Sequence, residues 1–296
     1  MNKIKKILVT GGTGFIGSHV IDKLIKMKYE VVMSVRNSSQ QIPNSDKIHL
    51  FKCDIKDREG VLDAVSHCDA VINLAGVLGT SVTESDTNES IEVNVKGALN
   101  VFNGCKLYDV PCVHVTVGNP FWLNNYSTSK YASERLAIMY NNDLKTRISV
   151  IRAFNVYGPH QRDKPVKKAI PNFILNALQN KPISIYGDGS QKMDFIFVDD
   201  VVEILIRSLF KEHDSYKNAF EAGTGNAISV NQVVDIIKNQ TNSSSKVEHL
   251  PMRKGEPETS IIEANLSTLK PLDYIPKVSF EEGISKTIPY YKNSIK

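Results

Sequence analysis

Residues 9–20 read VTGGTGFIGSHV and set four glycines, Gly11, Gly12, Gly14 and Gly17, between two apolar stretches of different period. Before them, KKILVT (5–10) is a short apolar run ending in a turn signal, which reads as a buried strand. After them, Ile16, Val20, Leu24 and Met27 recur at helical spacing, so a helix is expected over about 15–28. The glycines fit G-x-G-x-x-G as Gly12, Gly14 and Gly17, and a wider register as Gly11, Gly14 and Gly17. In either register small residues let the backbone turn tightly and approach a pyrophosphate at the helix N-terminus. The alternative is a glycine-rich turn without a ligand.

The pattern continues outward from there. EVVMSVR (30–36), KIHLFKCDI (47–55), DAVINLAG (69–76), PCVHVTV (111–117) and RISVIRAFNVYG (147–158) read as further strands. ESIEVNVKGALNVFNGCKLY (89–108) reads as a long helix, and another helix follows the fifth strand. Strands alternating with helices predict an α/β fold, a doubly wound parallel sheet covered on both faces. The expected dinucleotide-binding domain spans 1–157, with 194–223 returning to it. A smaller C-terminal lobe, 158–193 and 224–296, is expected to cap the carboxyl ends of the strands, where ligands of such sheets bind. Helices are expected at 169–180 and 229–240, with a strand leading into a helix over 194–210.

The chain has 296 residues and a net charge of +4, without a long basic stretch, so no nucleic-acid footprint is expected. The apolar run near the N-terminus is too short for a membrane span or signal peptide. Cys53, Cys68, Cys105 and Cys112 lack paired metal-ligand spacing, so no metal is expected. They read as reduced, mostly buried thiols of a cytoplasmic protein.

About twenty residues past the glycines, an acidic residue would favour NAD. The sequence there is SVRNSS, which places Arg36 at that point, with Ser38 able to add a hydrogen bond. A guanidinium can pair with a 2′-phosphate, so NADP is slightly favoured over NAD. Asp54 is positioned either to accept from the adenine amino group or to cap the following helix.

YSTSK (126–130) sets Tyr126 and Lys130 one helical turn apart, on one face. A phenol with an ordinary pKa near 10 needs a shift of about three units, roughly 4 kcal/mol, to act as a base at pH 7. A lysine one turn away and an oxidised nicotinamide ring can supply positive charge of that order in a dry site. The alternative is an ordinary amphipathic helix.

With TGGTGFIG, CDI, NLAG, VNVKGALNV, YSTSK, RAFNVYGP, YGDGSQKMDFIFVDDVV and MRKGE, the chain resembles the extended short-chain dehydrogenase/reductase family, in its nucleotide-sugar epimerase/dehydratase branch. The resemblance implies a Rossmann fold that holds NAD(P) at Gly11, Gly14, Phe15, Ile16, Gly17, Arg36, Ser38, Asp54, Ile55, Leu74, Ala75, Gly76, Asn94, Tyr126 and Lys130. It implies Tyr126 as acid/base, Lys130 orienting the cofactor ribose, and Asn94 supporting the active-site helix. Asn155 and Arg253 would meet the substrate diphosphate. The loop GVLGTSV (76–82) after the fourth strand is expected to line the sugar pocket with Leu78, Gly79 and Thr80, or else to form a simple surface turn. The helices at 89–108 and after 126 correspond to those that pair in a dimer, so a homodimer is expected.

Three departures from the family pattern stand out. A hydroxyl is expected at the end of the fifth strand, yet Thr116 is the only one there, and it serves only if the strand end is bulged or shifted. The Asp-Glu pair of the 4,6-dehydratases is replaced by Gly118 and Asn119. Met193 stands where an arginine is usual; Lys192 would compensate only by facing the same way, and Arg162 and Lys164 are further candidates. The expectation is therefore an enzyme that oxidises a nucleotide-sugar hexose at carbon 4, first of all a 4-epimerase. An atypical dehydratase or an NADPH-dependent keto-sugar reductase is the alternative. An NAD(P)-sensing or RNA-binding protein on the same fold is the non-enzymatic one.

Overall fold

A computed structural model describes residues 4–36, 45–77, 86–163, 168–213, 216–253 and 260–295. The chain opens with β1 (Lys6–Thr10), α1 (Phe15–Lys26), β2 (Glu30–Val35), β3 (Ile48–Lys52), α2 (Arg58–Ser66) and β4 (Ala70–Asn73). A short helix α3 (Thr87–Ser90) passes through a π-helical segment (Ile91–Gly97) into α4 (Ala98–Tyr108). Then come β5 (Cys112–Val117), α5 (Asn125–Leu144), β6 (Ile148–Ala153) and β7 (Asn155–Tyr157). The second half carries α6 (Ala169–Leu178), β8 (Ile183–Tyr186), β9 (Lys192–Phe197), α7 (Val198–Phe210), β10 (Phe220–Ala222), β11 (Ala227–Ser229), α8 (Val230–Thr241), β12 (Val247–Leu250), β13 (Ile261–Ile262) and α9 (Phe280–Ser294).

Seven parallel strands form the main sheet in the order β10-β6-β5-β4-β1-β2-β3. Strand order reverses between β1 and β4, which opens a crevice beyond their carboxyl ends. Side chains along each strand alternate between two cores. Ile7, Val9, Val31, Met33 and Ile72 enter one, while Leu8, Val32 and Val71 enter the other. The inner strands β1 and β4 are buried at nearly every residue, which is why the sequence shows them as apolar runs, whereas the edge strand β3 is largely exposed. α1 buries Val20, Ile21 and Leu24 and packs against α7.

A smaller sheet orders β11-β9-β13, with β7 also pairing β9, and β8 pairs β12 beside it. The single strand expected over 147–158 is therefore two. The chain breaks at Phe154, β6 stays in the large sheet, and β7 crosses to the small one. The long helix expected over 89–108 is interrupted by the π segment, and α9, which contains Pro289, was not anticipated. No helix among the described residues is long and apolar enough to cross a membrane.

Candidate active site

The glycine turn closes through the Gly14 N–H donating to the Gly11 carbonyl at 2.9 Å. Gly11 has φ +67°, and a β-carbon there would lie 2.8 Å from the main chain of Leu74 and Ala75. At Gly17 a β-carbon would collide with the Gly11 carbonyl oxygen. Gly12 instead faces Ile21 and Met33 inside the core. The wider register, Gly11, Gly14 and Gly17, is thus the one that borders open space. α1 begins there with no acidic side chain in its first turn and no side-chain cap, leaving its first N–H groups toward the cleft.

An open cleft runs from this turn across the carboxyl ends of the strands. Gly11, Gly14, Phe15, Ile16, Gly17, Leu74 and Gly76 line one end, and Tyr126 and Lys130 the middle. Met193, Phe195 and Ile262 wall the other end. A turn packed too tightly for β-carbons at Gly11 and Gly17, together with an uncapped helix N-terminus, fits a dinucleotide pyrophosphate.

The phase of α5 follows from its cap. Asn124 accepts the Ser127 N–H at 2.9 Å, so Tyr126 and Lys130 emerge one turn apart toward the cleft. Asn94, buried in the π segment, accepts the Val77 N–H at 2.9 Å and donates to the Val77 carbonyl and to Ser129 Oγ. It binds the edge of the cleft to α5 rather than lining it. Single π turns often occur at such sites. Burial pushes the Tyr126 phenol up to about 12 and pulls Lys130 down to about 8. Both shifts oppose ionisation, so the protein alone does not make the phenol acidic. The missing positive charge has to come from a cationic group bound in the cleft.

Several expected residues stand elsewhere. β5 is regular to its end, with Thr116 opposite Arg152 and Val117 opposite Ala153, so the bulge that Thr116 required is absent. Thr116 borders the cleft, but its hydroxyl donates to Glu134 at 3.1 Å; the buried Glu134 in turn pairs with Arg152 at 2.6 Å. The condition under which Thr116 would serve as the catalytic hydroxyl, a bulged or shifted strand end, is therefore not met. Lys192 is exposed while its neighbour Met193 faces the cleft, so strand alternation removes it from the substrate side. The Arg253 guanidinium stacks over Tyr186 at 4.1 Å, and neither is among the described residues that line the cleft. Asn155 lines the cleft and donates to the Asp194 carbonyl at 3.1 Å.

Asp54 accepts the Lys56 N–H at 2.9 Å, forming the turn into α2, and Ile55 packs under Gly97. Ala75 donates its N–H to Thr10 Oγ1 at 3.2 Å behind the cleft wall. Arg36 is exposed at the end of β2, and Arg162 is exposed. Ser38, Leu78, Gly79, Thr80 and Lys164 lie outside the described residues. Lys168, immediately before α6, does line the cleft and was not anticipated. A lysine in a run of KPVKK gives no signal of which one turns inward. Among the described residues lining the cleft there is no aspartate or glutamate. No group of three or more His, Cys, Asp or Glu side chains among the described residues could hold a metal.

Residues 7–223 match the family model described as the NAD dependent epimerase/dehydratase family. A putative UDP-glucose 4-epimerase of Methanocaldococcus jannaschii is 29% identical over 97% of this chain and 99% of its own length. A UDP-N-acetyl-alpha-D-glucosaminuronate decarboxylase of Bacillus cytotoxicus is 28% identical over 97% and 98%. Among solved structures, the UDP-glucose 4-epimerase of Thermotoga maritima with UDP-glucose superposes with a TM-score of 0.90 at 27% identity, covering 98% of this chain and all of that one. The glycine cradle, the Tyr126–Lys130 turn and a family match over most of the length agree: the chain is an NAD(P)-dependent enzyme and belongs to the NAD dependent epimerase/dehydratase family.

Proposed function

We propose that the chain is a UDP-sugar 4-epimerase. The observation that carries this reading is the presence of Tyr126 and Lys130 in one cleft with the glycine cradle, and of no carboxylate among its described lining residues. A dehydratase needs a second acid/base pair beside the sugar, and none of the described lining residues supplies one. A nicotinamide dinucleotide held at the Gly11–Gly14–Gly17 turn would supply the acceptor and later the donor of the hydride at sugar carbon 4. Tyr126 removes the hydroxyl proton at that carbon and later returns it. Lys130 holds the nicotinamide ribose and adds positive charge beside the phenol. Lys168 and Asn155 meet the diphosphate, in place of Lys192 and Arg253.

Arg36 offers a cation at the adenosine end, so NADP binding at least as tight as NAD is proposed; measuring both dissociation constants, before and after Arg36→Ala, tests it. Apolar side chains exposed on α4 and α5, Leu107, Tyr108, Met139 and Leu144, support a homodimer through these helices, which light scattering checks. Four free, buried cysteines support a cytoplasmic location.

The deciding experiment incubates the enzyme with UDP-glucose, UDP-N-acetylglucosamine and UDP-glucuronate in deuterated water and follows the sugars by NMR. Inversion at carbon 4 without solvent deuterium is expected. Deuterium at carbon 5, or loss of carbon 6 from UDP-glucuronate, would instead place the chain with dehydratases or decarboxylases.

A further inference from the structure

Behind the cleft a row of buried polar side chains crosses the sheet from the glycine turn to α5. Thr10 Oγ1 lies 2.6 Å from Asn73 Oδ1, and Asn73 Nδ2 lies 3.1 Å from His114 Nδ1. His114 Nε2 lies 3.0 Å from Ser133 Oγ, which lies 2.8 Å from the Lys130 carbonyl. All four side chains are buried, at 2% exposure or less. The row links β1, β4, β5 and α5.

The ends of the row set its direction. Thr10 Oγ1 already accepts the Ala75 N–H, so its own proton goes to Asn73 Oδ1. Asn73 then presents its amide hydrogens to His114 Nδ1, which must accept. His114 therefore carries its hydrogen on Nε2 and donates to Ser133, whose hydroxyl donates to the Lys130 carbonyl. Every donor finds an acceptor only with a neutral imidazole in this tautomer. Burial, reinforced by the Lys130 ammonium, holds His114 well below the usual histidine range, consistent with that form. The edge of Phe102 packs against the ring at 5.1 Å.

Close packing resists sliding of α5, and hydrogen bonds fix its register further, one set tying Glu134 to Thr116 and Arg152. Ser129, the residue before Lys130, is held by Asn94; Ser133, three residues after it, is held by His114. Lys130 is thus pinned on both sides, to the loop after β4 by one bridge and to the glycine turn by the other.

We propose that His114 is a positioning residue, which carries the register of the Lys130 turn to the glycine turn through this one-way chain. The proposal rests on the cofactor and reaction reading given above. Its test uses His114→Leu, His114→Gln, which keeps a donor toward Ser133, and Ser133→Ala, which removes one oxygen and serves if His114→Leu does not fold. His114→Leu and Ser133→Ala are expected to lower kcat on UDP-glucose by about tenfold or more, because small displacements of reacting groups are costly. KM should stay within about twofold of the parent, since a lost buried hydrogen bond far from the substrate does not touch its binding. His114→Gln should recover most of the loss. In 15N-histidine-labelled enzyme, the His114 imidazole should show the Nε2–H tautomer. Unchanged kcat in Ser133→Ala, no advantage of Gln over Leu, or an Nδ1–H tautomer would each overturn the proposal. If the parent enzyme epimerises no UDP-sugar, the reaction reading fails by itself. The chain is then judged by its tautomer and by the NADH dissociation constant, which His114→Leu should raise about tenfold and which an unchanged value would contradict.

Discussion

At the glycine-turn end of the cleft the wall includes Gly11, Gly14, Gly17 and Gly76, which bring main chain to its surface; the end bounded by Met193, Phe195 and Ile262 has large side chains. The first end tolerates almost no change of residue type. Gly11 and Gly17 abut other backbone, which cannot move without disturbing β1 and β4. The second end is assembled by strands of a separate small sheet, where alternation along β9 turns Met193 inward and leaves Lys192 exposed. A site made of backbone is a property of the sequence pattern, whereas one made of side chains depends on which face each strand presents.

The largest expected effect lies between the two ends. Tyr126→Phe should reduce kcat by about a thousandfold, the middle of the range for loss of an acid/base group, and leave NAD(P) binding within error. Titration of the cofactor alongside a turnover assay checks both halves. Gly17→Ala probes the backbone end. Its β-carbon meets the Gly11 carbonyl, so the cofactor dissociation constant should rise by about tenfold or more, and stability should fall by about 1–3 kcal/mol. If Gly17→Ala binds the cofactor as the parent does, the contrast between the two ends loses its basis.

Lys130 gives a pH-dependent test. Its folded pKa, about 8, lies below the ordinary 10.5, so the unfolded chain holds more protons between those values. The parent protein should therefore gain stability as pH rises from about 8 to 10.5, and the Lys130→Met variant should lack this gain. Denaturant melts of both proteins at pH 7, 9 and 10.5 should show a difference on the order of 3 kcal/mol, converging as the lysine is neutralised. At the side-chain end, Lys168→Ala should raise KM for UDP-glucose about tenfold, the loss of one charge-assisted contact. Lys192→Ala should change it by less than about twofold, as expected for an exposed charge. The reverse order would mean that β9 presents its other face to the substrate.

Much of the molecule was legible in its residues, and for a physical reason. The inner strands of the large sheet, β1 and β4 above all, are buried almost throughout and appear as apolar runs, while the glycine spacing marks where a backbone must come close. Tyr126 and Lys130 share a helix, so their common face follows from spacing alone. Arg36 at the end of β2 is likewise a matter of position along a strand.

Other features required tertiary contacts. Thr116 lies where a catalytic hydroxyl was sought, but only the packing of α5 over β5 brings Glu134 to claim it. The register of β9 and the break at Phe154 depend on how the strands of the small sheet pair, and Lys168 reaches the cleft from the start of α6. His114 stands among valines in CVHVTV, and the sequence does not reveal that Asn73 and Ser133 flank it. Local geometry and burial period are short-range properties that a sequence carries openly. Hydrogen-bond partners come from residues tens of positions apart, and only the folded arrangement of strands and helices brings them together.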